Sequence, residues 1–384
     1  MKFCIDIGNS KYFKNKQIPS KMSAIVIYAI IRVLLAFIFL FIQIAILPLF
    51  MIYKDYRENS CYRIMFAICL ADIFQLLANG VFIFLGLLNL DFSEEFEKGG
   101  GAINAASWNI LFFLQLLLAL NRCSVVLKNC FLISIKEQEL PWERRLFNFL
   151  LLLSFVFCVG IIAIFVGPYC GLHFITNKFY WVYATKYSWT ETVRDIEYKA
   201  TGFLPLITFI AYISIICILK WRRGKQNSDK LLSRQESRIL LQTTLQFLPL
   251  SFLMICGYLL PNDATLDMIA CLNVASIIVC GVNPFLYLTL NVQFRERFVL
   301  MICCRRAKKN KFIMTQPPKS NIHRISPTTV NNFNNCNITK TTKRVRATLE
   351  HHKNWGKNVE CEELLLGLLQ LDFYLGALIQ PQEN

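Results

Sequence analysis

Seven stretches of the chain, residues 24–53, 61–90, 102–127, 146–167, 200–219, 239–260 and 268–291, run for 20 residues or more with almost no charge. Each is long enough, as a helix, to cross the roughly 30 Å hydrocarbon core of a bilayer. Lipid offers the backbone no hydrogen-bond partner, so a spanning segment must satisfy its own amides. The pattern therefore predicts an all-α membrane protein, a seven-transmembrane helix bundle over residues 24–291 with a short amphipathic helix after span seven. Residues 1–23 read as an extracellular N-terminal tail, 292–304 as the amphipathic juxtamembrane helix and 305–384 as a cytoplasmic tail.

Composition agrees: 55% of residues are hydrophobic, 17% are charged and 32 are phenylalanine, far from a soluble average. Orientation follows from the loops, because cytoplasmic loops are enriched in Lys and Arg. The fifth connection holds Lys220, Arg222, Arg223, Lys225, Lys230, Arg234 and Arg238 against Asp229 and Glu236. The second holds Asp91, Glu94, Glu95 and Glu97 against Lys98. That asymmetry puts the N-terminus outside and the C-terminus in the cytoplasm, in the plasma membrane. Five lysines in the N-terminal tail (Lys2, Lys11, Lys14, Lys16, Lys21) and Arg32 inside span one pull the other way. The net charge of +16 sits largely in the cytosolic loops and tail, so nucleic acid is not an expected partner.

Seven of the fifteen cysteines, Cys69, Cys123, Cys158, Cys217, Cys256, Cys271 and Cys280, fall in or beside spans and read as small buried hydrophobes. Outside the membrane, Cys170 and Cys4 are the candidates for a disulfide, with Cys271, near the outer end of span seven, as a third. Residues 305–358 are rich in Lys, Arg, Asn and Thr and read as largely disordered. Residues 364–379 turn apolar again but carry Asp372 and are short for a span, which suits an interfacial or partner-docking helix.

Several polar residues stand out against this background. Asp72 is the single acid inside the seven runs, and an intramembrane carboxylate normally faces the bundle interior. It could there hold a sodium ion or a water network. Span three ends in Asn121-Arg122-Cys123, with the arginine at the cytosolic mouth. Span five contains Pro205 and span six Pro249, each removing a backbone hydrogen bond and offering a hinge. Span seven ends Asn283-Pro284-Phe285-Leu286-Tyr287, with Asn283 able to reach towards Asp72. Phe294, Arg295, Arg297 and Phe298 follow at helical spacing, an amphipathic turn suited to the inner leaflet. Cys303 and Cys304 come next, where palmitoylation would pin that turn to membrane lipids.

This set, Leu70-Ala71-Asp72, Asn121-Arg122-Cys123, Phe247-x-Pro249, Asn283-Pro284-x-x-Tyr287 and Phe294, resembles the rhodopsin-like G-protein-coupled receptors over residues 24–304. The phrase Leu118 to Cys123 and the aromatic second outer loop (Tyr180, Trp181, Tyr183, Tyr187, Trp189) are similar to the nematode serpentine chemoreceptors of classes T and X. The resemblance implies a signal transducer whose partners are an extracellular small molecule or peptide and a heterotrimeric G protein, with arrestin and a receptor kinase acting on the tail. It implies that Arg122 meets the G protein, that Asp72 is the sodium-site acid, and that Asn283, Pro284 and Tyr287 form the span-seven switch. Phe247 stands where the family has a tryptophan above Pro249. Three positions depart from the family. Asn121 replaces the acid before Arg122, no cysteine opens span three, and span one offers Gln43 rather than an asparagine.

Asn104 stands where amine receptors carry aspartate, and span seven has no lysine for retinal. A pocket around Asn104, Trp108 and Phe247 would suit a small neutral molecule, whereas the acidic second connection would suit a basic peptide. A membrane hydrolase would need clustered metal ligands, but His173 is the only histidine before His323. No enzyme is expected and no cofactor beyond the sodium ion. The competing class is a seven-span ligand-gated channel of inverted topology.

Overall fold

A computed structural model describes residues 19–131, 141–225, 234–259 and 265–303. In chain order they form α1 (Pro19–Ile52), α2 (Lys54–Glu58), α3 (Ser60–Leu87), α4 (Glu94–Phe131), α5 (Pro141–Val166), β1 (Leu172–Ile175), β2 (Tyr180–Tyr183), α6 (Thr190–Lys225), α7 (Arg234–Leu259), α8 (Leu266–Leu290) and α9 (Val292–Cys303). Seven of these, α1 and α3 to α8, are long and apolar enough to cross a membrane and are spans one to seven below.

The helix starts show what apolar counting misses. Span three begins at Glu94, eight residues before the apolar run, because Glu94, Glu95 and Glu97 occupy its first turn and complement the helix dipole. Ser93 accepts a hydrogen bond from the Phe96 amide at 3.3 Å, satisfying one of the amides a helix start leaves open. Span five likewise begins at Thr190 rather than 200. Its first turns are charged yet helical, so they extend the helix beyond the stretch that hydropathy marks. Asn59 caps span two by accepting from the Cys61 amide at 2.9 Å, and Thr265 caps span seven through Met268.

Spans two and three are the most enclosed, while spans four and five turn most of their surface outward. Phe41, Phe155 and Phe203 are among the large apolar side chains left exposed on spans one, four and five, the surface lipid would cover. Spans one and seven approach closely at Gly281. A Cβ there would lie 2.2 Å from Phe39 Cδ2 and 2.3 Å from its Cγ, near the root of the ring where it cannot swing clear. Gly281→Ala should therefore lower the stability of the fold by about 1–3 kcal/mol, the usual cost of overpacking. A lower melting temperature of the purified protein would show it, and an unchanged one would mean that the two spans separate freely.

The bundle is not purely α-helical. Between spans four and five the chain forms an antiparallel hairpin with Leu172 opposite Tyr183 and Ile175 opposite Tyr180. Alternate residues of a strand face opposite sides, and here both sides of β2 are buried. Trp181 and Tyr183 pack with Phe82, Ala102 and Ala105 of spans two and three. Tyr180 and Val182 pack with Ile269 of span seven. Arg32, which looked anomalous inside span one, is buried and donates to the Phe179 carbonyl at 2.5 Å, tying span one to the hairpin. Phe179 adopts a positive φ of 55°, which lets the turn present that carbonyl.

Candidate functional site

Three groups of polar residues occupy successive levels of the bundle. The first is a cavity at the hairpin end. It is lined by residues of spans two, three, five and seven and of the hairpin, including Gln75, Asn79, Asn104, Trp108, Trp181 and Glu197. Its volume is about 80 Å³, and it has an open mouth. Asn79 donates to Asn104 Oδ1 at 2.8 Å. Asn109 donates to Glu197 Oε1 at 2.6 Å, and the Tyr183 hydroxyl donates to Glu197 Oε2. Among the described residues, buried Gln75 Oε1 and Trp181 Nε1 have no hydrogen-bond partner. Leaving such groups unpaired is costly, and both belong to residues that line this cavity.

Of the residues expected at a pocket, Asn104 and Trp108 line this cavity and Phe247 does not. Phe247 is buried one level further from the hairpin, 5.5 Å ring to ring from Tyr212 of span five. The expectation placed it by helix phase alone, which does not give depth. Glu197 corrects a second reading, since Asp72 is not the only acid in a span. The signal was present: Glu197, Thr201, Thr208 and Tyr212 recur at helical spacing, and Thr201, Thr208 and Tyr212 are buried. They continue one inward face beyond the charge-free stretch.

The second group surrounds Asp72, which is 1% exposed. Its Oδ2 accepts from Asn283 Nδ2 at 2.5 Å and from Gln43 Nε2 at 3.2 Å. Gln43 also donates to the Cys280 carbonyl at 3.0 Å and accepts from the Cys69 thiol at 2.9 Å. Spans one, two and seven are thus joined through one carboxylate, and Gln43 does the work expected of the missing asparagine. As oriented, this shell turns donors towards the acid, whereas a sodium ion needs oxygen lone pairs. In that orientation, the Asn283 and Gln43 amides do not supply the oxygens that the sodium ion implied by the resemblance would need.

The third group lies at the far end. Arg122 is buried rather than reaching outward, and its Nη2 donates to Asn121 Oδ1 at 2.9 Å. Tyr212 of span five is buried against Phe247 of span six. Tyr287 is fully buried, its ring packed against Phe50 and Phe294. Pro249 and Pro284 both lie inside their helices. A further acid in a span, Glu143 of span four, pairs with Lys128 and accepts from Ser124 at 3.0 Å.

Phe294 does not lie on a leaflet. It is 0% exposed and packs against Phe50, Tyr56 and Tyr287. Its amide donates to Asn291 Oδ1 at 3.1 Å, and Asn291 donates to the Tyr62 hydroxyl at 3.0 Å. Arg297 closes on Asp55 at 2.6 Å and covers the rings of Tyr53 and Tyr56, each at 4.5 Å. The start of α9 is therefore a docked part of the bundle. Burial, its largest influence, raises the Tyr56 hydroxyl above its ordinary range and keeps that neighbour neutral.

Cys170 is fully buried and free among the described residues, and burial pushes its thiol up, away from the reactive thiolate. Its suggested partner Cys4 lies outside the described residues, as do Cys304, the Cys303 side chain and the tail from 305 to 384 with its apolar segment 364–379.

Comparison with known proteins agrees with this geometry. A profile of the family described as "Serpentine type 7TM GPCR chemoreceptor Srt" matches residues 9–311. No curated protein matches significantly. Among solved structures, the crystal structure of squid rhodopsin is similar, with a TM-score of 0.58 and 14% identity, over 75% of this chain and 89% of that one. At that identity the likeness is one of fold, and it extends to the seven-span arrangement described above. With the family match running from ahead of the first span to beyond the last described helix, the chain belongs to the Srt family of serpentine seven-transmembrane G-protein-coupled chemoreceptors.

Proposed function

We propose that this receptor sits in the plasma membrane with its N-terminus outside, binds a small extracellular molecule in the cavity beneath the hairpin, and activates a heterotrimeric G protein at the Arg122 end. The observation that carries the reading is the pair of unsatisfied groups, Gln75 Oε1 and Trp181 Nε1, on two residues that line one roofed cavity. A small number of directed polar groups among aromatic walls is the usual chemistry of a small-molecule site. A basic peptide finds less support, because two of the four acids of the second connection already have partners. Glu94 pairs with Lys186 at 2.8 Å and Glu97 with His173 at 2.9 Å. The hydrogen bond to Glu94 holds the Lys186 ammonium above its ordinary value.

Ligand binding would favour the conformer in which span six moves at Pro249, since a ligand shifts an equilibrium by its differential affinity for the two states. The Tyr212–Phe247 pair joins spans five and six at the level where that movement would act. Arrestin and receptor kinase would act on the tail, with Cys303 and Cys304 as lipidation sites.

Epitope tags at each end, probed on intact cells, should show the N-terminal tag exposed and the C-terminal tag hidden. In the same cells, a panel of small odorous molecules read out by G-protein nucleotide exchange should yield an agonist. Asn104→Phe, which fills the cavity, should abolish its response at unchanged surface level. A hidden N-terminal tag on surface receptor would overturn the G-protein reading and favour the inverted channel.

A further inference from the structure

We propose that the cavity is built for a small organic cation, with Glu197 of span five as its counter-charge. The inference deepens the small-molecule reading and rests on it. An amine receptor is expected to carry its acid in span three, where this chain has Asn104. The fold supplies one from another wall: the Glu197 carboxylate lines the same cavity as Asn104. Its two hydrogen-bond partners, Asn109 Nδ2 and the Tyr183 hydroxyl, are neutral donors. Among the described residues these two donors are neutral, so they orient the carboxylate without cancelling its charge, and a desolvated charge lacking a counter-charge is expensive.

The rest of the lining suits the same guest. Trp108, Trp181 and Tyr183 contribute aromatic walls, whose faces attract cations most strongly where water is excluded. Gln75 Oε1 provides an acceptor, without a partner among the described residues, for an ammonium N–H. The indole N–H of Trp181 provides a donor for a hydroxyl or carbonyl elsewhere on the same molecule. Charge, aromatic faces and acceptor therefore converge on a compact ammonium compound carrying one oxygen function.

The test uses the full-length receptor in lipid nanodiscs, with tryptophan fluorescence as readout because two tryptophans, Trp108 and Trp181, line the cavity. Probes are ethylammonium, choline and phenethylammonium, each beside its uncharged counterpart: ethanol, dimethylbutanol and phenylethanol. At least one cation should quench saturably and bind about tenfold or more tightly than its counterpart. Glu197→Gln should weaken that cation by about tenfold or more and leave the uncharged probes unaffected, the scale expected for losing one partner of a desolvated charge pair. Should Glu197→Gln fail to fold, Asn104→Asp adds a second acid to the same cavity and should tighten cation binding.

Cation affinity indifferent to both variants, equal binding of charged and uncharged probes, or no saturable cation binding would each overturn the proposal. The signalling of Asn104→Phe separates this from the reading beneath it. A variant that still responds to agonist removes the cavity as the ligand site. A silent variant, with cation binding indifferent to Glu197, overturns the counter-charge alone.

Discussion

A receptor carrying Arg122→Ala is expected to reach the surface and bind its ligand within about twofold of normal while losing about 90% or more of agonist-stimulated nucleotide exchange, a tenfold effect corresponding to about 1.4 kcal/mol. The reason is placement. Arg122 is buried at the far end of span three from the cavity, and its hydrogen bond goes to the neighbouring Asn121 side chain. No acidic partner holds it among the described residues, so little of the fold depends on its charge. In the reading proposed above, the guanidinium becomes available to the G protein when span six moves. Asn121→Asp would place a carboxylate beside that guanidinium and should lower agonist-independent exchange relative to the unaltered receptor, because an added ion pair favours the closed conformer. Exchange measured in membranes from cells expressing each variant at matched surface level checks both statements. Unaltered agonist-stimulated exchange in Arg122→Ala would remove this residue from the coupling surface.

The second large effect is expected at the centre of the bundle. Asp72→Leu should destabilise the receptor by roughly 2–4 kcal/mol, since removing a buried acceptor leaves its former donors unsatisfied at about 1–3 kcal/mol each. Asn283 loses the partner that it holds at 2.5 Å, and the Gln43 Nε2 donor is left with the Cys280 carbonyl at 3.0 Å. Asp72→Asn retains one acceptor oxygen at the same place and should retain most of the stability. Thermal melting of the solubilised receptor separates the two, with the leucine variant melting well below the asparagine variant. Equal losses would mean that the charge, rather than the hydrogen-bond geometry, matters. Because the shell donates to the acid, melting should also be insensitive to replacing sodium by a large organic cation in the buffer.

These two predictions differ in how far they were legible beforehand. Arg122, Asp72, Asn283, Pro284 and Tyr287 were readable because each breaks an apolar pattern: a charge or a proline inside lipid has few structural excuses. Gln43 was noted only as the nearest polar residue in span one, and its role emerged from two hydrogen bonds across spans. Glu197 was passed over because charge density in residues 190–199 set the expected start of span five at 200. Helical phase continued through that stretch regardless, since helix formation depends on backbone bonding and not on lipid contact.

The apolar periodicity, loop charges and isolated polar residues of the sequence by themselves determined the class of the molecule: seven spans, their order, and the short helix after the last. Those features are local, set by the energetic cost of exposing backbone and charge to hydrocarbon. Only the tertiary structure decided depth and partnership. It put Phe247 below the cavity rather than in it, folded Leu172–Tyr183 into a roof, docked Phe294 inside the bundle and brought Glu197 opposite Asn104. Each of those outcomes depends on which helices become neighbours, and contacts across more than 80 residues, such as Asn109 with Glu197, leave no periodic trace along the chain.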